Sequence, residues 1–290
     1  MEVQQLRYML AVVDNGTFTA AASACFVAQP SLSHAVRTLE SDLGVELFHR
    51  VGRRTTLTSA GEAFAPAARE VLRALDTLRA DVDAVAGVVA GHLDLVALPT
   101  LAVDPVARLV GAFRTAFPAV VVRLAHPENS KELVTLVRSG VSEIGITELP
   151  LVAERVVTRP LGRQELVAIF PPGTPRPRRL QLAALARWPL ITQPAGTSTR
   201  DALDGAFSTI DAKAAVAVET DQREAIVPLV LAGAGAAVVP KPMALVARRQ
   251  GAVVASLQPA LWRELGLLHR DSTLSPAARA FIELARLPSG

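Results

Sequence analysis

Residues 17–61 read TFTAAASACFVAQPSLSHAVRTLESDLGVELFHRVGRRTTLTSAG. The stretch parses as two helices joined by a tight turn, then a basic hairpin and the opening of a long helix. Thr17 is suited to cap the first helix, and the Ala-rich run behind it forms helix readily and packs closely. Phe26 and Val27 fall in the turn. Gln29 and Pro30 open the second helix, where proline is tolerated because first-turn N–H groups lack helical partners anyway. Leu32, Val36, Leu39 and Leu43 recur at helical spacing and predict a buried stripe. Gln29, Ser31, Ser33, His34, Arg37 and Thr38 are left on the other faces, and Gly44 fits the helix stop. Short polar and basic side chains early in a helix, set behind a compact partner helix, are what a major-groove reader needs. Leu47 and Phe48 then anchor a hairpin in the core. Arg50, Arg53 and Arg54 surround Gly52 at its tip, suited to phosphates or a narrow minor groove.

Within this stretch, LSHAVRTLESDLGVELFHRVGRRTTLTSAG resembles the N-terminal winged helix-turn-helix of LysR-type transcriptional regulators. The family pattern is a Ser-bearing recognition helix, LEXXLGXXLFXR, a basic wing and LTXXG. The resemblance implies an α+β DNA-binding domain over residues 1–58 that takes double-stranded DNA. Its candidate contacts are Gln29, Pro30, Ser31, Ser33, His34, Arg37, Thr38, Arg50, Arg53 and Arg54. Two positions depart from the family. Ala28 stands where a Ser or Thr cap is common, and His34 where many members carry a longer donor.

The 290 residues allow one small and one or two medium domains, and the half that are hydrophobic allow a sizeable core. No run of eighteen uncharged apolar residues appears, and the N-terminus lacks a basic region followed by an apolar one, so neither a membrane span nor a signal peptide is expected. A cytoplasmic location is the corresponding expectation. Cys25 is the only cysteine, which excludes an internal disulfide. In the Ala-rich helix it reads as a small buried hydrophobe. Net charge is +3, yet residues 1–58 balance five arginines against five carboxylates. DNA binding therefore rests on where the arginines stand, and bulk charge does not support it.

Residues 2–13 read as a first helix with Val3, Leu6, Leu10 and Val13 on its inner face and Asn15–Gly16 ending it. From Ser59 a capping box, Ser59 to Glu62, opens a helix that runs to Gly87. Phe64, Ala68, Val71, Leu75, Leu78, Val82 and Val85 are spaced alternately four and three apart, a heptad seam that calls for a partner helix. Pro66 should bend the helix near its start. The resemblance identifies residues 59–87 as the dimerising linker helix, so a homodimer, and beyond it a homotetramer as a dimer of dimers, is expected.

Past Gly91 strands and helices alternate. Residues 92–98, 119–125 and 143–147 read as strands, with helices over 103–117 and 131–138 between them, an order that predicts a mainly parallel sheet. A second unit follows, with strands at 165–170, 214–220, 235–240 and 252–257 and helices near 180–187 and 222–232. The segments AFRTAFPAVVVRL, ELVTLVRSGVSEIGI and EAIVPLVLAGAGAAVVP resemble the effector-binding half of LysR-type regulators, with Glu143 where the family often has Asp. The resemblance implies an α/β two-lobed, periplasmic-binding-protein-like domain over 91–290. Lobe I would comprise 91–161 and 265–290, and lobe II 163–262.

Open α/β sheets bind ligands beyond the carboxyl ends of their strands. Thr100, Leu101, Asn129, Ser130, Thr147, Glu148, Thr197, Ser198, Thr199 and Asp221 all stand at such strand ends or helix starts, and free N–H groups there suit a small organic acid. Asn129 and Ser198 taken singly read as helix caps; the resemblance implies that these segments converge on one crevice, and that convergence favours an effector. No nucleophile elbow, phosphate loop or HEXXH helix is present, and the five histidines lack metal-ligand spacing, so no catalytic residue, metal or cofactor is assigned. The rival readings are a solute-binding protein and a ligand-modifying enzyme on the same two-lobed fold.

Overall fold

The computed structural model describes residues 1–51, 54–85, 89–175 and 179–286, without the side chains of residues 50, 51, 54, 79–81 and 83–85. The first domain begins with α1 (Val3–Asn15), α2 (Phe18–Ala24) and α3 (Gln29–Leu43). Its core joins Leu6, Met9 and Leu10 of α1 to Ala21 and Ala22 of α2 and to Leu32, Val36 and Leu39 of α3. Those three α3 side chains are 0% exposed, so most of the expected stripe is buried, whereas Leu43 lies at the surface. Val3, expected on the inner face of α1, is exposed, and Met9 and Val12 are buried with Leu6 and Leu10. Thr17 caps α2 by accepting a hydrogen bond from the Ala20 N–H at 3.1 Å, whereas Ala28, at the cap position of α3, has no side chain to do so.

The hairpin β1 (Phe48–Val51) and β2 (Arg54–Leu57) follows. Leu47 and Phe48 are buried, and the Glu40 carboxylate of α3 accepts from the N–H groups of both, at 2.8 and 3.3 Å. One carboxylate thus ties α3 to the base of the hairpin. The long helix α4 (Ser59–Val85) starts one residue away from the expected cap: Thr58, and not Ser59, accepts from the Gly61 N–H, at 3.0 Å. Gly61 is dictated by space, since a Cβ there would sit 2.1 Å from the Leu47 carbonyl oxygen.

Beyond the linker, β3 (Gly91–Ala97) leads into a short turn of helix, α5 (Pro99–Leu101), a widened turn at Ala102–Val106, and α6 (Ala107–Ala116). The single helix expected over 103–117 is broken because Pro105 forces Asp104 into an extended conformation. The chain continues through β4 (Val120–Ala125), α7 (Ser130–Arg138), β5 (Ile144–Leu149), β6 (Val156–Phe170), β7 (Arg179–Gln181), α8 (Leu182–Leu185), β8 (Leu190–Thr192), α9 (Ser198–Ser208) and β9 (Val216–Glu219). It closes with α10 (Arg223–Leu231), β10 (Ala237–Pro240), α11 (Lys241–Arg249), β11 (Val253–Arg270) and α12 (Pro276–Arg286).

The main sheet has strand order β10-β6-β11-β5-β3-β4, with β7 beside β11. The sheet as a whole is mixed: the parallel order expected for the first three strands holds, and antiparallel strands extend it. β3 runs parallel to β4 and β5, but β11 is antiparallel to β5 and β6, and β10 is antiparallel to β6. The reason is that β6 and β11 are far longer than their apolar runs. They pair with each other along almost their whole length, and Pro160 and Gly162 conceal the first half of β6 in the sequence. Register shifts in this pairing fall at Ser256/Leu261 and Leu265/Gly266. One core packs Phe113 of α6 against Phe281 of α12, ring centroids 5.4 Å apart. Two further clusters fill the other lobe, around Phe170 and Phe207 and around Ile169 and Val230. The helix expected at 180–187 is instead β7 and the single turn α8, and α11 and β8 were not anticipated.

Candidate functional site

The first candidate surface is the open face of α3. Gln29, Pro30, Ser31, His34 and Arg37 are exposed and Thr38 is half-buried, its hydroxyl donating to the His34 carbonyl at 3.0 Å. Ser33, expected among them, is only 5% exposed and lies on the packed side of the helix. The reason is its place beside Leu32 and one turn before Val36, which turns it toward the partner helices. In the wing, Arg50 pairs with Thr55 and Val51 with Arg54 across the hairpin. Arg53 lies outside the described residues, as do the side chains of Arg50 and Arg54.

Along α4 the heptad seam divides. Ala68 is buried in the core of the first domain and Phe64 packs against it, because the start of α4 crosses α1. Val71, Leu78 and Val82 are exposed, the last two by 64% and 66%, and Leu75 is half-buried. The Val85 side chain lies outside the described residues. An apolar row of this kind on a long helix is a surface that a second helix would bury.

The second candidate site is the crevice where the two halves of the long sheet face each other. At its floor Arg263 of β11 is 5% exposed and makes contacts in every direction. Its guanidinium donates to Gln164 Oε1 of β6 (2.9 Å from Nε), to Thr100 Oγ1 of α5 (3.1 Å), to Ser198 Oγ of α9 (2.7 Å) and to the Glu148 carboxylate of β5. The Ser198 hydroxyl donates in turn to Glu148. Gln164 donates to the Asp104 carbonyl at 2.8 Å and to its carboxylate at 3.1 Å. Burial pushes the Arg263 guanidinium down from its usual value, and the negative charge of Glu148 opposes that. A cation this deep persists only when paired and fully hydrogen-bonded, and here it is both.

Above this network lie two small adjoining cavities, of about 30 Å³ and 10 Å³. Thr100 and Thr199 border both, and Asn129, Ser130, Thr197 and Ser198 border the second. Asn129 also caps α7, accepting from the Glu132 N–H at 3.0 Å. Three expected residues are not brought there. Leu101 is 0% exposed inside the core that holds Phe113, Asp221 is exposed away from both cavities, and Thr147, though buried, borders neither. Glu148 is present but committed to Arg263 and Ser198. Sequence reasoning missed four residues: Arg263, Gln164, Gln193 and Arg223, the last two bordering both cavities. For Arg263 a signal existed. It shares the inward-facing period of β11 with Leu265 and Leu267, where a charge has to be paired.

A helix-turn-helix with a wing, a long linker helix and a two-lobed domain with a polar crevice define the class: a DNA-binding regulator with a sensory half. Residues 3–62 match the family described as bacterial regulatory helix-turn-helix protein, lysR family, and residues 86–287 match the LysR substrate binding domain. The chain belongs to the LysR-type transcriptional regulators, a family of regulators and not of enzymes. It is 33% identical over 198 residues to the HTH-type transcriptional regulator TfdT of Cupriavidus pinatubonensis, covering 68% of this chain and 86% of that one. Among solved structures, a full-length OxyR variant from Pseudomonas aeruginosa shares the fold with a TM-score of 0.79 at 24% identity, covering 99% of this chain and 95% of that chain. CbnR complexed with its target DNA is 25% identical with a TM-score of 0.69, covering 99% of each chain. No described helix is long and apolar enough to cross a membrane.

Proposed function

We propose that this regulator binds its promoter as a homodimer, assembled further as a dimer of dimers, and changes its grip on DNA when a small organic acid enters the inter-lobe crevice. The observation that carries the reading is the convergence of Thr100, Asn129 and Ser130 from one lobe with Thr197, Ser198 and Thr199 from the other on adjoining cavities. A ligand that favours one lobe arrangement shifts the populations of both. Glu40 and α4 supply a mechanical route, since the linker helix packs on the domain that carries α3, the proposed reader. Gln29, His34 and Arg37 are the proposed base readers, with Ser31 and the wing arginines Arg50, Arg53 and Arg54 on phosphates. The exposed Val71, Leu78 and Val82 support pairing of linker helices. A promoter-binding role places the protein with the chromosome, in the cytoplasm. The test is binding-site selection from random duplexes. The reading expects a near-palindromic consensus, altered at one base pair in each half-site by His34→Ala; a consensus that His34→Ala, Gln29→Ala and Arg37→Ala all leave unchanged would remove α3 as the reader.

A further inference from the structure

Three buried polar atoms in the crevice are left without a partner among the described residues: Gln193 Nε2, Thr199 Oγ1 and Arg223 Nε. Gln193 is 5% exposed and Thr199 8%. They come from three segments of one lobe: the loop after β8, the first turn of α9 and the first residue of α10. Leaving a buried donor unsatisfied is costly, and native interiors contain few such groups. The other two such atoms among the described residues, on Arg73 and Thr147, border neither cavity. Three in one wall mark a place where something else supplies the acceptor.

The wall separates cavities of opposite character. The residues common to both linings are Thr100, Gln193, Thr199 and Arg223. On one side the 30 Å³ cavity is bordered mainly by Ile191, Leu203, Ile226, Val238 and Met243, with Arg200 and Thr192 also at its edge. On the other, the 10 Å³ cavity lies between the starts of α7 and α9, with Asn129, Ser130 and Thr197 at its edge. Arginine, amide and hydroxyl donors that border the same two cavities suit an anionic oxygen, and an arginine presents two N–H groups in the plane a carboxylate needs. A second negative charge has nowhere to go. Glu128 borders the polar cavity, the Asp201 carboxylate already accepts from the Gly196 N–H at 3.0 Å, and Glu148 is adjacent to Ser198. On the aliphatic side the one further cation, Arg200, is already paired with Asp204 at 2.6 Å and donates to Thr192 and the Gln193 carbonyl, so a second charge there would lack a free partner.

We propose that this wall is a receptor for a small aliphatic monocarboxylate, its carboxylate held by Gln193, Thr199 and Arg223 and its hydrocarbon entering the pocket between Ile191 and Met243. The inference rests on the effector-responsive reading above and narrows its ligand. Each cavity holds no more than about one or two waters, so even a few carbon atoms enter only as the lobes separate, and entry and lobe motion are one event. Burial, opposed by neighbouring Glu224, lowers the Arg223 pKa, and an incoming carboxylate reverses that shift.

The test is calorimetry on the full chain with 3-methylbutanoate, its neutral amide, 3-methylbutylamine and the dicarboxylate glutarate. The expected result is binding of 3-methylbutanoate at least about tenfold tighter than each of the others, with Arg223→Met and Thr199→Val each weakening it about tenfold or more while the melting temperature holds. Glu128→Gln should narrow the gap to glutarate. Equal binding of the amide, tighter binding of glutarate, unchanged affinity in Arg223→Met, or absence of 3-methylbutanoate binding would overturn the proposal. The two readings fail separately. DNA binding that responds to a compound of another class keeps the effector-responsive reading and sinks this one. Arg223-dependent carboxylate binding with no effect on DNA keeps the receptor and sinks effector control.

Discussion

Arg263 and Arg223 stand in the same crevice and are both desolvated, yet they are opposites. Arg263 donates to groups from α5, β5, β6 and α9, so that both lobes hold it. Arg223 keeps its Nε without a partner. The first is a structural clasp across the crevice, complete without a ligand. The second is a cation kept in readiness. Burial alone therefore does not distinguish a binding arginine from a scaffolding one; the accounting of its hydrogen bonds does.

The sharpest way to break this contrast is to remove the clasp. Arg263→Met leaves Glu148, Ser198 and Gln164 facing an apolar chain and should lower unfolding free energy by about 3–5 kcal/mol in urea titrations, the usual result of stripping one partner from a buried pair. A change under about 1 kcal/mol would mean that Glu148 simply rehydrates and that no clasp exists. Glu148→Gln should cost less, about 1–3 kcal/mol, because the amide retains shape and one acceptor. Arg223→Met should shift stability by less than about 1 kcal/mol, or even stabilise, since it deletes an unsatisfied donor. A loss as large as that of Arg263→Met would make Arg223 another scaffold residue. Thr199→Val is the smallest expected change, within about 0.5 kcal/mol by thermal unfolding, because the hydroxyl it removes has no partner.

What could be read from the sequence divides along the same line. The first domain was legible because its signals are local: the spacing of Leu32, Val36 and Leu39, the Thr17 cap, and a hairpin anchored by Leu47 and Phe48. Gly61 was legible only as part of a motif; the close approach of the Leu47 carbonyl explains it physically. The crevice was legible as a set of strand ends and helix starts, which found Thr100, Asn129, Ser130 and Thr197 to Thr199. The same rule overreached at Leu101 and Asp221, since it predicts where a segment ends and not where its side chain points. The parallel order of β3, β4 and β5 was legible, but the long antiparallel pair β6 and β11 was not, because Pro160, Gly162 and Pro259 break the apolar alternation of strands that nevertheless run on through both lobes. Gln193 and Arg223 could not be found at all. Neither carries a motif, and they meet only through the pairing of β8 and β9 and the placement of α10 beside them.

In the proposed function, ligand occupancy of the crevice is coupled to the DNA-reading helices. The most direct measurement is the affinity of the full chain for its selected duplex, by fluorescence anisotropy, with and without saturating 3-methylbutanoate, in wild type and in Arg223→Met. Coupling between sites is typically 1–3 kcal/mol, or about 5–150-fold. The expected result is a shift of at least about fivefold in wild type and none in the variant, whose ligand-free affinity matches wild type. Wild-type affinity unmoved by a carboxylate that calorimetry shows to be bound would contradict it.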